Sequence, residues 1–515
     1  MVGWWILTPL IGALLVGLLG GLRREGLLTW GWRLTALIQL AVAGWLALLY
    51  QQKAPLEVTY HLFTLSWKMP WWGYLTPQGW VSRYDVSFFL ATDGFALLLA
   101  FLVTLIGLVL SWWPHWKLTQ PALQIPALLL VQGFALWAIF SYDLISFYIG
   151  FEATLIPMVY LIFSLVPDRE KARSTGLSFL LYTVAGSIPF LAAILYGAAQ
   201  ISVTHGIPFS TSYVTWLKYP LPPETQVWVY LGFCVAFYVK LGLFPGHGWV
   251  LSLYRYAPLP LVVLSSALLT KLGAIGWLRW APAFPVGHLT LAPYIGGIAA
   301  MSLLFAGLSA YFQTNLRSWL AYGTISHLSF IAIGIAAASG AGFSGAAWYA
   351  IGHAAVAAAQ LLVVGYLIEQ AGTDEISAMG GIAAGYPRLA FFWVLTAIAS
   401  VGLPGLSQFP AEFLILVGSY QSLMVQRGVF IAALAGVAIA AIYTLRVLRQ
   451  VLFGEPKPLS AQDLGPMATI GLTLLSIWVV LSGFWASPFL KELERTLVSF
   501  AQAILYQALG TVGNL

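Results

Sequence analysis

Long apolar segments recur from one end of the chain to the other, and they limit what the chain can fold into. About fourteen of them have the roughly 20 residues that a helix needs to cross a lipid bilayer. The predicted spans are 3–20, 31–50, 86–112, 122–140, 142–166, 175–200, 226–245, 258–280, 291–312, 317–338, 343–369, 388–404 continued by 408–426, 428–452 and 467–486. The segments predict an all-α polytopic membrane protein.

The composition excludes other classes of protein. Hydrophobic residues make up 60% of the 515 residues and charged residues 8%, which leaves too little polar surface for a water-soluble globule. The formal charge of +6 comes from basic residues scattered over short connections, so it does not indicate nucleic-acid binding. Because cytoplasmic loops carry an excess of Lys and Arg, their distribution predicts both termini on the periplasmic or lumenal side.

Glycine and proline interrupt two of the predicted spans, at Val239–Gly246 and at Ser400–Gly405. Interruptions at corresponding places in two halves are typical of inverted repeats around an ion path. We therefore predict a single membrane domain with two inverted five-helix repeats and two broken helices. Its predicted parts are N-terminal helices at about 1–120, a first repeat at 121–280, a second repeat at 291–452, and a C-terminal span with an interfacial helix at 467–515.

Four ionisable residues stand alone within the apolar segments. They are Glu152, Lys240, Lys271 and Glu412. An isolated charge in a bilayer costs about 3 kcal/mol on insertion scales, so its presence favours a functional role. Static alternatives remain, because a lysine can extend to the interface and an acid can stabilise a helix start. In apolar surroundings the charge of each group depends on whether an opposite charge lies nearby, as a proton relay requires.

Two histidines, His327 and His353, lie between these lysines and Glu412 along the chain, so we predict that they belong to the same relay. Asp93, Asp143 and His247 lie near predicted helix ends or breaks, where capping and function are equally expected. No histidine pair has metal-ligand spacing, and the single cysteine excludes a cysteine-ligated iron–sulfur cluster. The sequence therefore predicts no cofactor and no metal in this chain.

Short motifs surround most of these residues. They are Ser82–Ala96 with Ala-Thr-Asp-Gly, Tyr142–Leu144, Phe151–Glu152 with Leu155–Met158, Tyr238–Lys240 with Phe244–Trp249, Leu269–Ala274, Leu320–His327 and Gly405–Gly418. In this order they resemble the antiporter-like membrane subunits of respiratory complex I, and in particular chain 4 of NAD(P)H:quinone oxidoreductases. Glutamate at position 412 is similar to the chain 4 type, and Leu180–Ser187 is similar to its cyanobacterial and chloroplast branch.

The resemblance implies a proton-translocating subunit of an NAD(P)H- or ferredoxin-type plastoquinone oxidoreductase in a thylakoid or bacterial inner membrane. The implied proton relay consists of Glu152, Lys240, Lys271, His327, His353 and Glu412. Quinone, NAD(P)H or ferredoxin and the iron–sulfur clusters are then expected only in partner subunits. The implied partners are other membrane-arm subunits, including sister antiporter-like subunits.

One stretch departs from the family pattern. After Trp249 the family usually has acidic and histidine residues before an Ala-Pro pair, whereas this chain has Val250–Tyr256 without an acid before Ala257-Pro258. The inner proton entrance is therefore open to question. The departure also leaves a specialised subunit of a carbon dioxide-uptake complex as an alternative, beside a stand-alone cation/proton antiporter and a purely structural membrane-arm subunit.

Overall fold

The computed structural model describes residues 2–22, 25–52, 65–70, 74–76, 79–81, 84–455, 462–491 and 493. Within them the chain is an all-α polytopic membrane protein, and 12 helical segments are long and apolar enough to cross a membrane. The helices are α1 Val2–Leu19, α2 Glu25–Gln52, α3 Gly94–Trp112, α4 Pro121–Phe140, α5 Leu144–Ala153, α6 Leu155–Leu165, α7 Arg169–His205, α8 Tyr213–Lys218, α9 Pro223–Leu241, α10 Gly248–Tyr256, α11 Leu259–Val263, α12 Thr270–Trp280, α13 Pro285–Tyr311, α14 Leu316–Ala336, α15 Gly340–Ala371, α16 Ile382–Gly385, α17 Pro387–Ser400, α18 Gln408–Gln421, α19 Arg427–Phe453 and α20 Pro466–Phe484.

Each of the fourteen predicted spans contains helix, but two of them, 226–245 and 388–404 continued by 408–426, are not among the 12 segments. Three predicted spans differ in detail. Residues 87–92, which the prediction included in the span 86–112, form a strand that precedes α3. The segment 142–166 is divided at Thr154 into α5 and α6. The segment 226–245 forms α9 only as far as Leu241, where the helix breaks. The interfacial helix predicted in the last part of 467–515 falls for the most part outside the described residues.

The described strands are short and lie between helices. β1 Leu65–Pro70 pairs antiparallel with β5 Ser87–Thr92, and β2 Tyr74–Thr76 pairs antiparallel with β3 Gly79–Val81. β4 Tyr84–Asp85 runs parallel to β6 Phe209–Ser210. They connect helix ends at one side of the bundle.

The ends of the helices define two faces. At one of them, Lys117 before α4 forms an ion pair of 2.7 Å with Glu369 near the end of α15, and Asn315 before α14 pairs with Glu375. We call this side the Glu369 face. At the opposite side, Arg279 near the end of α12 donates to the carbonyl oxygen of Ser141 at the end of α4 over 2.9 Å. We call this side the Arg279 face.

The core of the bundle runs through α12, α14 and α15. Every residue of α12 is buried, and α14 and α15 are buried along most of their length. Helices α1, α7, α13 and α19 instead expose large apolar side chains along one side, as expected where a helix contacts lipid. The isolated lysines and histidines therefore lie on or next to the most enclosed helices of the molecule.

Two helices are broken within the bundle, as predicted. α9 ends at Gly242, which has the left-handed backbone (φ +74°) that favours glycine. α17 ends just before Gly402, which has φ +73°. In each case a second helix, α10 or α18, begins within a few residues. The inverted relation between the two repeats remains a prediction.

Candidate functional site

Lys240 lies in the last turn of α9 and is 2% exposed. Its Nζ atom is 4.1 Å from the centre of the Phe151 ring, and it donates to the Phe151 carbonyl oxygen over 3.4 Å. Glu152 follows directly at the end of α5 and interacts electrostatically with Lys240. None of the ion pairs among the described residues joins them. The two charges therefore influence each other without direct contact.

Helices α9 and α12 approach each other closely between the two lysines. A Cβ atom added at Gly273 would lie 2.8 Å from the carbonyl oxygen of Phe237, so the glycine is needed for the contact. Small residues allow membrane helices to pack at such short range. Because Phe237 lies one turn before Lys240, and Gly273 lies two residues after Lys271, this packing places the two lysines on touching helices.

Lys271 is fully buried, and no ion pair among the described residues includes it. Its Nζ atom donates to the Ser266 carbonyl oxygen over 2.8 Å and to Thr270 Oγ1 over 3.2 Å, and it lies 2.9 Å from His353 Nδ1. The segment Leu264–Leu269 that precedes α12 is a π-helix, a form that is frequent at functional sites. Lys271 and His353 can therefore share one proton across a short hydrogen bond.

Glu412 lies in the first half of α18 and is also buried. Tyr349 of α15 donates to Glu412 Oε1 over 3.4 Å, and the same hydroxyl lies 3.0 Å from His327 Nδ1. On the other side of this ring, Tyr443 of α19 lies 3.1 Å from His327 Nε2. Sequence reasoning missed both tyrosines.

These hydrogen bonds all donate in the same direction, from Tyr443 toward Glu412. Since Tyr349 donates its proton to Glu412, its oxygen accepts from Nδ1 of His327, and Nε2 is then left to accept from Tyr443. The series Tyr443, His327, Tyr349 and Glu412, which we call the Glu412 wire, is thus a continuous hydrogen-bonded path. A proton that reaches Tyr443 can be passed on by one shift at each member.

The backbone at the second break lies against the carboxylate. A Cβ atom added at Gly402 would lie 2.0 Å from Glu412 Oε2, so the carboxylate occupies the space that only glycine leaves open. The helix break therefore makes room for the acid.

A small cavity lies beside the histidines and is called the His327 cavity below. Its volume is about 20 Å³, enough for one water molecule. Its lining includes Trp319, Thr324, His327, His353, Tyr443 and Thr444. The rings of His327 and His353 are 5.9 Å apart between centroids, and no direct hydrogen bond joins these two described residues.

The structure thus places four of the six predicted relay residues in two neighbouring buried groups: Lys271 with His353, and His327 with Glu412. Glu152 and Lys240 form a separate pair in the first half. Their roles in proton transfer remain predictions. A sequence signal for Tyr349 did exist, because it precedes His353 by four residues and so shares one side of α15 with it. For Tyr443 no local signal exists.

The three residues for which capping and function were equally expected lie outside these two groups. Asp93 accepts from the Ala96 amide over 2.7 Å and begins α3, and Asp143 accepts from the Ile145 and Ser146 amides over 3.0 Å and begins α5. Both are therefore helix caps. His247 packs near the rings of Phe244 and Phe305.

Arg279 is a further buried charge, near the end of α12. It is 3% exposed, its guanidinium lies 4.0 Å from the Tyr142 ring centre, and Nη2 lies 4.0 Å from Asp93 Oδ2. It ties the end of α12 to the end of α4 and the start of α3. Among the described residues no group of three or more His, Cys, Asp or Glu side chains has the geometry to hold a metal ion.

Comparisons with known proteins agree with this architecture. Residues 141–440 match the family model described as "NADH:quinone oxidoreductase/Mrp antiporter, TM". The chain is 31% identical over 456 residues to NADH-quinone oxidoreductase subunit M of Rickettsia felis, covering 86% of this chain and 90% of that protein. It is 29% identical over 511 residues to subunit M of Escherichia coli strain K12, covering 97% of both.

A solved structure extends the comparison over almost the whole fold. A chain of respiratory complex I from Thermus thermophilus with bound NADH matches with a TM-score of 0.85 and 26% identity, covering 98% of this chain and 100% of that chain. The chain therefore belongs to the NADH:quinone oxidoreductase/Mrp antiporter family, and its resemblance to the antiporter-like membrane subunits of complex I is confirmed.

Proposed function

We propose that this chain is the proton-translocating membrane subunit of a complex I-like quinone oxidoreductase. The observation that carries the proposal is a pair of neighbouring buried groups: Lys271 contacts His353, and beside them the Glu412 wire leads from Tyr443 to Glu412. A buried set of titratable groups in hydrogen-bond contact is costly for a fold, so it favours function over packing.

The first step of the proposed mechanism is electrostatic. When the Glu152 carboxylate lies near Lys240, it stabilises the protonated amine, and when the two separate the buried amine releases its proton. Since they are not in contact, a small movement of α5 against α9 is sufficient to change the interaction. Partner subunits would drive this movement through neighbouring charges.

The released proton then moves along the core of the molecule. The path leads from Lys240 across the close packing of α9 and α12 to Lys271, and from there to His353 over the short contact to Nδ1. His327 receives it and passes it through Tyr349 to Glu412, which exchanges with the outer side. Each proton transfer requires groups held within hydrogen-bond reach, as they are at Lys271 and along the Glu412 wire.

Electron transfer is assigned to partner subunits. The residues of this chain do not fit an iron–sulfur cluster, because it has one cysteine, Cys234, and that residue is buried. Quinone, NAD(P)H or ferredoxin and the clusters are accordingly placed in the other subunits, and sister antiporter-like subunits are the proposed neighbours in the membrane arm.

A finer assignment is proposed from the sequence. Glu412 and Leu180–Ser187 support chain 4 of the cyanobacterial and chloroplast branch, with plastoquinone as acceptor and a thylakoid or bacterial inner membrane as location. The distribution of basic residues supports termini on the lumenal or periplasmic side, which makes the Glu369 face the inner one.

The proposal is tested by replacing Lys240 with methionine in the intact assembly. Lys240→Met should abolish the pumping that depends on this subunit while electron transfer continues, because the side chain keeps its length and loses its proton. Lys218→Met is the matched control, since Lys218 also lies over an aromatic ring but is exposed. An unchanged number of protons per electron in assembled Lys240→Met complex would refute the proposal.

The alternative is a cation/proton antiporter that works without a quinone-linked assembly, since the matching family includes Mrp antiporters. The same buried charges would serve it. Purification under mild conditions separates the two, because the first function requires large redox partners and the second does not. Co-purification with carbon dioxide-hydrating partners would instead favour the specialised uptake complex.

A further inference from the structure

The stretch Val250–Tyr256, which departs from the family pattern, has no place in the proposed relay. It makes up most of α10, the short helix that follows the break in α9. The relay uses none of its side chains, because the stretch contains no acid and no histidine. Buried polar groups nevertheless need hydrogen-bond partners, and the partners of α10 indicate its role.

The beginning of α10 is attached to the broken end of α9. The Trp249 indole, which is 1% exposed, donates from Nε1 to the carbonyl oxygen of Val239 over 3.0 Å. A Cβ atom added at Gly242 would lie 2.3 Å from Val250 Cγ2, so α10 also packs tightly against the break. Because Val239 directly precedes Lys240, these contacts hold the backbone of the lysine against α10.

The end of α10 is attached to α14. Tyr254 Oη lies 2.8 Å from Thr324 Oγ1, and both side chains are buried. Arg317 of α14 donates from Nη1 to the carbonyl oxygens of Tyr254 and Ala257 over 3.0 and 2.7 Å. Thr324 lies three residues before His327 on the same side of α14, and both line the His327 cavity. α10 is therefore joined to α14 at the turn that carries this histidine.

A second connection reaches α14 on the other side of His327. The Phe244 amide, which lies in the break, donates to Ser302 Oγ of α13 over 3.0 Å. Ser302 Oγ lies 2.9 Å from Ser329 Oγ, and Ser329 follows His327 by two residues. Both serines are fully buried. Hydroxyl groups thus hold the break to α14 both before and after the histidine.

We propose that α10 is a brace that holds the Lys240 end of α9 at a fixed place relative to His327. Tyr254, Thr324 and Ser302 are its positioning residues, since they make the attachments and carry no proton. A movement that changes the distance between the lysine and its acid partner must then come from α5. The proposal deepens the proposed function and rests on it for the use of the relay, but not for the attachments themselves.

The first experiment measures an attachment directly. In the intact assembly, Ser302→Ala removes the acceptor of the Phe244 amide, so the protection of this amide against hydrogen exchange should fall about fivefold. Ser326→Ala is the matched control, because Ser326 Oγ also joins α14 to α13, through the Leu303 carbonyl oxygen over 3.2 Å, but does not reach the break. Equal protection of Phe244 in the two variants would overturn the brace. This result does not depend on whether Lys240→Met pumps.

The second experiment measures pumping. Thr324→Val keeps the shape of the side chain and removes the hydroxyl, so pumping through this subunit should fall about fivefold while electron transfer continues. Thr324→Ser keeps the hydroxyl and should pump normally. A role in packing alone predicts the opposite order, because serine loses a methyl group and valine does not. Normal pumping by assembled Thr324→Val, or a larger loss in Thr324→Ser, would refute the brace.

A third variant removes the same hydrogen bond from α10 and covers a failure of Thr324→Val to assemble. Tyr254→Phe should lower pumping by a similar factor, and its combination with Thr324→Val should lower it no further. Tyr366→Phe is the matched control, since the buried Tyr366 hydroxyl donates to the Gln462 carbonyl oxygen over 2.6 Å and takes no part in the brace. Additive losses, or equal pumping by Tyr254→Phe and Tyr366→Phe, would contradict the proposal.

Discussion

The two halves of the proposed proton path hold their charges in different ways. In the first half Lys240 rests against the Phe151 ring and influences Glu152 without touching it. In the second half Glu412 belongs to a hydrogen-bonded wire with two tyrosines and a histidine. The first arrangement suits a lysine whose protonation changes with its distance from Glu152. The second suits transfer of protons between groups that stay in place.

The difference shows where movement is required. A pair without contact responds to a shift of either helix, because Coulomb energy varies with separation in a medium of low dielectric constant. A hydrogen-bonded wire works only if its members stay within hydrogen-bond distance. Its two middle members, His327 and Tyr349, lie on the buried core helices α14 and α15. The predictions below test this division.

The largest effect is expected at the end of the wire. Glu412→Gln keeps the size of the side chain but removes the group that releases the proton, so pumping through this subunit should be lost while the complex assembles. The readout is protons translocated per electron in vesicles. Glu224→Gln, the same change in an exposed acid at the start of α9, should be silent. Retained pumping would assign the release step to another group.

A smaller loss is expected within the wire. Tyr349→Phe removes the hydroxyl between His327 and Glu412, and a hydrogen bond to a charged group is worth about 1.5–3 kcal/mol, so proton transfer should slow at least about tenfold. The control is Tyr230→Phe, which removes another buried tyrosine hydroxyl bonded to a histidine, at 2.7 Å from His288. Equal rates in both variants would contradict a conducting role for Tyr349.

In the first half the aromatic ring should matter less. Phe151→Leu keeps an apolar contact with Lys240 but removes the ring face, which contributes about 1 kcal/mol to holding the protonated amine. Pumping should therefore fall about fivefold. Phe190→Leu, in the same aromatic cluster, should leave pumping close to normal. A loss as large as that of Glu412→Gln would mean that the first half is as rigidly organised as the second.

The smallest effect is expected outside both halves, at the start of α7. The Lys171 amide donates to Asp168, and this hydrogen bond holds the pKa of the exposed Asp168 carboxyl below its ordinary value. The stabilisation is therefore present above the ordinary carboxyl pKa and is lost as pH falls through the lower pKa of the folded state. The protection of the Glu170 and Lys171 amides against hydrogen exchange, measured relative to the intrinsic rate at each pH, should fall at acid pH. Asp168→Asn should weaken that dependence and leave pumping unchanged.

Much of the fold could be predicted because membrane spans depend on local composition. The isolated charges were visible for the same reason, since each stands out in an apolar segment. The sequence predicts helix for the strand at 87–92 because its residues are as apolar as those of α3. Its pairing with β1 depends on residues some twenty positions away. The π-helix before Lys271 and the position of Tyr443 likewise depend on packing between distant helices.

The position of the Glu412 carboxylate depends on the size of the residue at position 402. A Cβ atom at position 402 would overlap the Glu412 carboxylate, because it would lie 2.0 Å from Oε2. An alanine at position 402 would push the Glu412 carboxylate away from Tyr349, although every titratable residue of the proposed path would still be present. A chain of this family can therefore keep its full set of charges and still be unable to conduct, and the residue that distinguishes the two cases carries no side chain.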